Sequence, residues 1–150
     1  MTTTMQLLSM QHQDVLARLT AVEAVLGDAD DRLLTAFASY LEGEVVHHFG
    51  LEEQALFPVL ARHLSSTQGP LAVMHAEHAE FRELLNSLRS GGSAGQRTYA
   101  RSVIDLLRAH IAKEDHVLFP MAERLLSAEE KNEVERRAAL ASDAAGLQRD

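Results

Sequence analysis

HFGLEEQALFPVLARHLS, residues His48 to Ser65, returns sixty-two positions later as HIAKEDHVLFPMAERLLS, residues His110 to Ser127. His48, Glu52, Leu56, Phe57, Pro58, Arg62, Leu64 and Ser65 recur as His110, Glu114, Leu118, Phe119, Pro120, Arg124, Leu126 and Ser127. Eight identities in eighteen positions exceed the roughly one expected from chance alignment, so the chain carries an internal repeat. A looser match precedes it. HQDVLARL from His12 aligns with HAEFRELL from His78, sharing the histidine and the last leucine. Each half of the chain is then one helix pair, with a histidine on the first helix and His-x-x-x-Glu on the second.

Apolar residues recur at steps of three and four throughout, the period of helices with one buried face. The spacing predicts helices over about 4–26, 31–64, 70–89 and 96–126, with a short fifth helix over about 128–141. Gly27-Asp28-Ala29-Asp30 reads as a turn with Asp30 as N-cap, and Ser65 to Gly69 as a second turn before Pro70 at a helix start. Ser90-Gly91-Gly92-Ser93-Ala94-Gly95 is the stretch expected to be most flexible. Ser127 and Glu130 have the spacing of a capping box. Four long helices joined by short turns imply an all-α, antiparallel up-down four-helix bundle, formed as a single domain over 1–150 with the bundle at about 4–126.

The chemistry lies where polar residues interrupt the apolar stripes. Leu8, His12, Val15 share a face, as do Val45, His48, Glu52, Ala55. Leu71, Met74 with His75, His78, Phe81 form the third series, and Leu107, His110, Glu114, Val117 the fourth. One buried histidine is explained by a hydrogen-bonded neighbour. Six inward polar residues at one depth are not, because two carboxylates buried together repel unless cations lie between them. Side chains at i and i+4 share a helix face, so His48 with Glu52, and His110 with Glu114, can each grip one centre. His75, one step from the stripe, joins the candidates. Tyr40, Glu44, His47, Glu53, His63 and His116 read as packing or solvated residues.

The donor set narrows the metal. One tetrahedral zinc needs about four ligands, fewer than this set offers, and HExxH is absent. Magnesium and calcium favour oxygen alone. Imidazoles with two bridging carboxylates suit a pair of first-row metals, most simply iron.

The paired His-x-x-x-Glu…Leu-Phe-Pro blocks resemble the hemerythrin-like family, also called the HHE cation-binding domain, over nearly the whole chain. The resemblance implies a helical bundle holding two iron ions in a non-haem, oxo- or hydroxo-bridged centre that meets oxygen, peroxide or nitric oxide. It also implies a role in sensing, storage or stress response, with a peroxide-removing or ferroxidase enzyme as the alternative. By position, His12, His48, His78 and His110 resemble terminal ligands, and Glu52 and Glu114 the bridges; His75, beside the stripe, is the seventh ligand expected. Two departures argue against oxygen transport. Oxygen carriers of the family show His-x-x-x-His on the third helix, where this chain has His75-Ala76-Glu77-His78, and an aspartate five residues beyond the last histidine, where Asp115 follows Glu114.

Composition sets the outer limits. Without cysteine there are no disulfides and no thiolate chemistry, which fits a reducing, cytoplasmic setting. It also means no cysteine-bearing segment of the kind seen in the family's iron–sulfur repair proteins, so the domain is expected to act alone or through a partner. A net charge of −8 with no basic run disfavours nucleic acid and anionic membrane as partners. No apolar stretch approaches the ~20 residues that span a bilayer.

Overall fold

The computed structural model describes residues 2–90 and 93–149 and contains no strand among them. Helix α1 (Thr4–Val25) opens with a reciprocal capping box between Thr3 and Gln6. A single 3-10 turn (Leu26–Asp28) leads to α2 (31–60), which Asp30 caps by accepting from the Leu33 N–H at 2.9 Å. Helix α3 is Pro70–Ser90, α4 covers 93–125, and α5 is Ala128–Arg149. Ser127 and Glu130 bond reciprocally, the capping box expected there. Of the stretch expected to be flexible, Gly91 and Gly92 lie outside the described residues; Ser90 closes α3 and α4 already begins at Ser93.

Two apolar clusters show that neighbouring helices run antiparallel. One joins the C-terminal half of α1 and the turn after it (Val15 to Leu26) with the N-terminal half of α2 (Leu34 to Phe49), the end of α3 (Phe81 to Leu88) and the start of α4 (Ala100 to Ile111). The other joins the opposite ends: Met5 and Leu8, Leu51 to Leu60, Leu71 and Met74, and Leu118 to Leu126. Each helix passes from one cluster to the other through the level of its histidine.

The helices are not regular at that level. In α2 a π turn occupies Glu52–Leu56, and in α4 another occupies Glu114–Leu118, each closed by an N–H of the following phenylalanine bonding back to the glutamate carbonyl. This accounts for the repeated prolines. In a regular helix the ring of Pro58 or Pro120 would collide with the carbonyl four residues back, and its missing N–H would leave that carbonyl unbonded. A π turn just before the proline widens the backbone there. A third π turn, Leu41–Val45, has no proline.

The extra residue in a π turn advances the buried face by one position. In α4 the stripe expected to run from Glu114 to Val117 instead falls on Leu118, Ala122 and Leu126, all buried, while Val117 is 46% exposed. In α2 both registers are buried, Ala55 and Val59 as well as Leu56 and Leu60. The cause is α5, which lies across the first π turn, burying Val134 and packing Ala138 and Ala141 against the second cluster. Thr4 donates through its N–H and Oγ1 to Glu135, and Arg62 donates through both guanidinium nitrogens to Glu133. So α5 is no short appendix. It runs past the expected stop near Ala141 because no strong breaker stands before Gly146, and it walls one side of the bundle.

Candidate metal centre

Between the two apolar clusters lies a single polar layer. His12, His48, Glu52, His78, His110 and Glu114 are all buried, with both glutamates wholly excluded from solvent. α1 supplies His12, α3 supplies His78, and α2 and α4 each supply a histidine and, one turn on, the glutamate that opens a π turn. His12 Nε2 stands 2.9 Å from Glu114, His78 Nε2 3.1 Å from Glu52, and His48 and His110 Nε2 each 3.6 Å from the glutamate of their own helix.

His75 does not join them. It is exposed, its ring set edge-on against Phe57 at 5.1 Å between centroids. Met74 takes the inward position one turn before His78, and the next residue along is turned about 100° away from it. The chain thus presents four inward imidazoles, and the seventh expected ligand stands apart.

All four imidazoles face inward through Nε2, because each Nδ1 is bound on its outer side. His12 Nδ1–H donates to Asp115 at 2.9 Å and His48 Nδ1–H to the Gln11 amide oxygen at 2.8 Å. His78 Nδ1–H donates to Glu53 at 2.6 Å and His110 Nδ1–H to Glu77 at 2.9 Å. Such outer bonds fix the tautomer and aim of a metal-binding histidine. In the sequence Glu53 reads as a packing or solvated residue, Asp115 stands at the oxygen carriers' aspartate position, and Gln11 and Glu77 are not singled out. The repeat contains a signal for them. Glu53 and Asp115 each follow the repeated glutamate, and Gln11 and Glu77 each precede the first histidine of a half. By contrast, Glu44, His47 and His116 are exposed, as expected. Tyr40 packs beneath the Arg18 guanidinium, and His63 pairs with Glu130.

Apart from His12 Nε2 and the Glu114 oxygen it meets at 2.9 Å, the inward atoms are left without partners. His48, His78 and His110 Nε2, both oxygens of Glu52 and one of Glu114 are buried and unbonded. An unsatisfied buried polar group costs about 1–3 kcal/mol, and six directed at one place is not a pattern of ordinary packing. Burial pushes the Glu52 carboxyl up to about 7. The Glu114 carboxyl is raised by burial and then by Glu52 beside it. Burial lowers His48, His78 and His110. It acts in the same direction on His12, but there the Glu114 and Asp115 carboxylates outweigh it and the net shift is upward. The layer therefore combines three imidazoles whose protonation burial opposes with two carboxyls whose ionisation burial opposes, while His12 is drawn the other way by its carboxylate neighbours. A cation removes that conflict, since imidazole nitrogen and carboxylate oxygen are both good donors to a first-row metal.

The donors sort into two groups of four, His12–His48–Glu52–Glu114 and Glu52–His78–His110–Glu114, with the ligand atoms of each within 4.8 Å of one another. Both glutamates belong to both groups. The residues present thus fit a pair of cations side by side, each with two imidazoles and a share in two carboxylates. Phe49 stacks on His78 at 3.7 Å and Phe119 on His12 at 5.7 Å, closing the layer against water.

A bundle with a buried histidine–carboxylate layer is the frame of a cation-binding helical protein. The chain belongs to the hemerythrin HHE cation-binding domain family, whose model matches residues 3–122. It is similar to proteins named iron-sulfur cluster repair protein YtfE from Escherichia coli O1:K1 and from Escherichia fergusonii, at 32% identity over 127 residues in each case. The matched region covers 75% of this chain and 58% of those relatives, so the chain spans little more than half their length. No solved structure matches it at the same stringency. Among the described residues no helix is long and apolar enough to cross a membrane.

Proposed function

We propose that this protein holds two iron ions in the buried layer, bridged by Glu52 and Glu114, with His12 and His48 on one and His78 and His110 on the other, and that it acts in the cytoplasm on a small ligand: oxygen, nitric oxide or peroxide. The observation that carries the reading is the convergence of six unbonded, fully buried donor atoms from three helices, with His12 of the fourth at 2.9 Å from Glu114. Iron held there would supply redox change and open coordination positions for a diatomic or peroxide ligand. The chain's own residues do the rest. Outer hydrogen bonds hold each Nε2 inward, and the stacked phenylalanines exclude water.

The size of the space beside the layer favours a small ligand. An apolar cavity of about 10 Å³ borders His12, His48 and His110 and is walled by Val15, Val45, Phe49, Leu107 and Ile111. That is near the threshold for a single water, so anything larger than a diatomic needs the wall to move. A sensing or storage role follows if binding is reversible. Peroxide removal or ferrous oxidation follows if it is not. The name of the relatives favours a further role in iron–sulfur cluster repair, with this domain as the iron-bearing part.

The test is expression in iron-replete medium, metal counting and an absorption spectrum before and after exposure to nitric oxide and to peroxide. Two irons per chain and a spectrum changed by ligand are expected. Zinc alone, or one metal per chain at saturating iron, overturns the reading. Sustained peroxide turnover by the iron-loaded protein would favour the enzyme over the reversible binder.

A further inference from the structure

The two halves of the layer carry the same inward ligands but different outer partners. Gln11 and Glu77 occupy equivalent places, each just before the first histidine of its half and each accepting from the Nδ1–H of the second. Glu77 brings a full negative charge to His110, and Glu53 does the same for His78. On the other side only His12 has a carboxylate, Asp115, while His48 leans on the neutral amide of Gln11. An imidazole bonded to a carboxylate is the stronger metal donor, because the carboxylate draws on the Nδ1 proton and enriches Nε2.

Bracing differs in the same direction. Glu53 is gripped by both guanidinium nitrogens of Arg82 at 2.8 Å, and Glu77 by Lys113. Both cations sit on the outer side, 41% and 46% exposed, where water screens their charge from the imidazoles. They hold the carboxylates in place more than they neutralise them. Asp115 has no such clamp. Its other bond is to the Ser9 hydroxyl at 3.0 Å, and it lines an open groove of about 650 Å³ with Ser9, Met10, Phe119 and Pro120. The one carboxylate supporting the first half is therefore braced by a neutral hydroxyl alone.

We propose that the two cation positions are unequal. The position at His78 and His110 fills first and holds tightly, and the position at His12 and His48 is the exchangeable one, with Gln11 as the positioning residue that weakens it. This rests on the reading that the layer takes two cations. It assigns the protein one resident ion and one that can be given up.

The full-length protein, stripped of metal, is titrated anaerobically with cobalt(II) and followed by the visible bands of the bound ion. Two steps are expected, separated by roughly 10- to 100-fold in affinity, the effect of one outer partner. Gln11→Glu should tighten the weaker step and bring the two together. Glu77→Gln should loosen the tighter step by roughly tenfold and leave the weaker one in place. Two equal steps that neither variant separates or shifts, or a Gln11→Glu change that leaves or loosens the weaker step, overturn the inequality while the two-cation layer stands. Uptake of one cobalt or none overturns both.

Discussion

Ala55 is wholly enclosed, whereas its repeat partner Val117 is 46% exposed, although each stands three residues after a glutamate that opens a π turn. The two blocks around them share Leu-Phe-Pro and the same backbone irregularity. What separates them is α5, which lies across the first π turn and leaves the second beside an open groove. Inward, the blocks are equal. Glu52 and Glu114 are both fully buried, and each belongs to both donor groups. The repeat therefore determines the face directed into the bundle, where the chemistry is, and leaves the outer face to whatever the rest of the chain lays against it.

Inward equality carries the largest expected effect. Glu52→Ala and Glu114→Ala should lower metal content alike, from two ions per chain to one or none, as counted in protein expressed with iron. If one variant keeps both ions, the two blocks are not equivalent at the layer. Asp115→Ala provides the contrast, since Asp115 meets the layer only through His12 Nδ1. It should retain both ions at saturation, with affinity weakened by roughly tenfold.

Next in size is removal of the metal itself. Stripping it leaves six inward atoms unsatisfied, and the expected loss is a few kcal/mol, on the order of 10 °C in melting temperature for a chain of this length. Thermal melts of chelated and iron-loaded protein measure it, and coincident curves would refute it. Uptake should also depend on pH, with a sign set by the carboxyl. Glu52, raised to about 7, is largely protonated below that value in the metal-free protein and must lose its proton to bind. His48, His78 and His110, lowered by burial, are already neutral and add no such competition. Apparent affinity should therefore fall as pH drops from 7.5 to 5.5, roughly tenfold per pH unit for each proton released. Affinity that rises toward low pH would contradict the shift.

Much of this was legible in the residues alone. The bundle, the repeat, the N-cap at Asp30 and the six polar residues that converge all follow from spacing, because a buried stripe interrupted by His or Glu at the helical step has few other meanings. Two features were not. The π turns shift the register by one, and a period of 3.6 extrapolated from Glu114 arrives at Val117 when the buried residue is Leu118; only Pro120 hinted at the change. The outer acceptors Gln11, Glu53 and Glu77 look like solvated polar residues in one dimension, and Asp115 like an alternative to Glu114, since the histidines they hold are on other helices. His75 failed for a rotational reason: Met74 had already taken its place.

The smallest expected effect tests the outer faces directly. At position 55, α5 closes the space over the π turn, so an added pair of methyl groups has no room. Ala55→Val should cost about 1–3 kcal/mol through overpacking or displacement of α5. At position 117 the same change in reverse removes atoms already half in water. Val117→Ala should then stay within about 0.5 kcal/mol, as exposed substitutions do. Denaturant unfolding of the iron-loaded variants measures both, and metal content should hold at the parent value in each, because neither residue belongs to the donor groups. A large loss for Val117→Ala would mean that something in solution covers this face of α4 as α5 covers the α2 block. A neutral Ala55→Val would mean instead that α5 sits loosely on the bundle, and the contrast between the two blocks would shrink to their sequences.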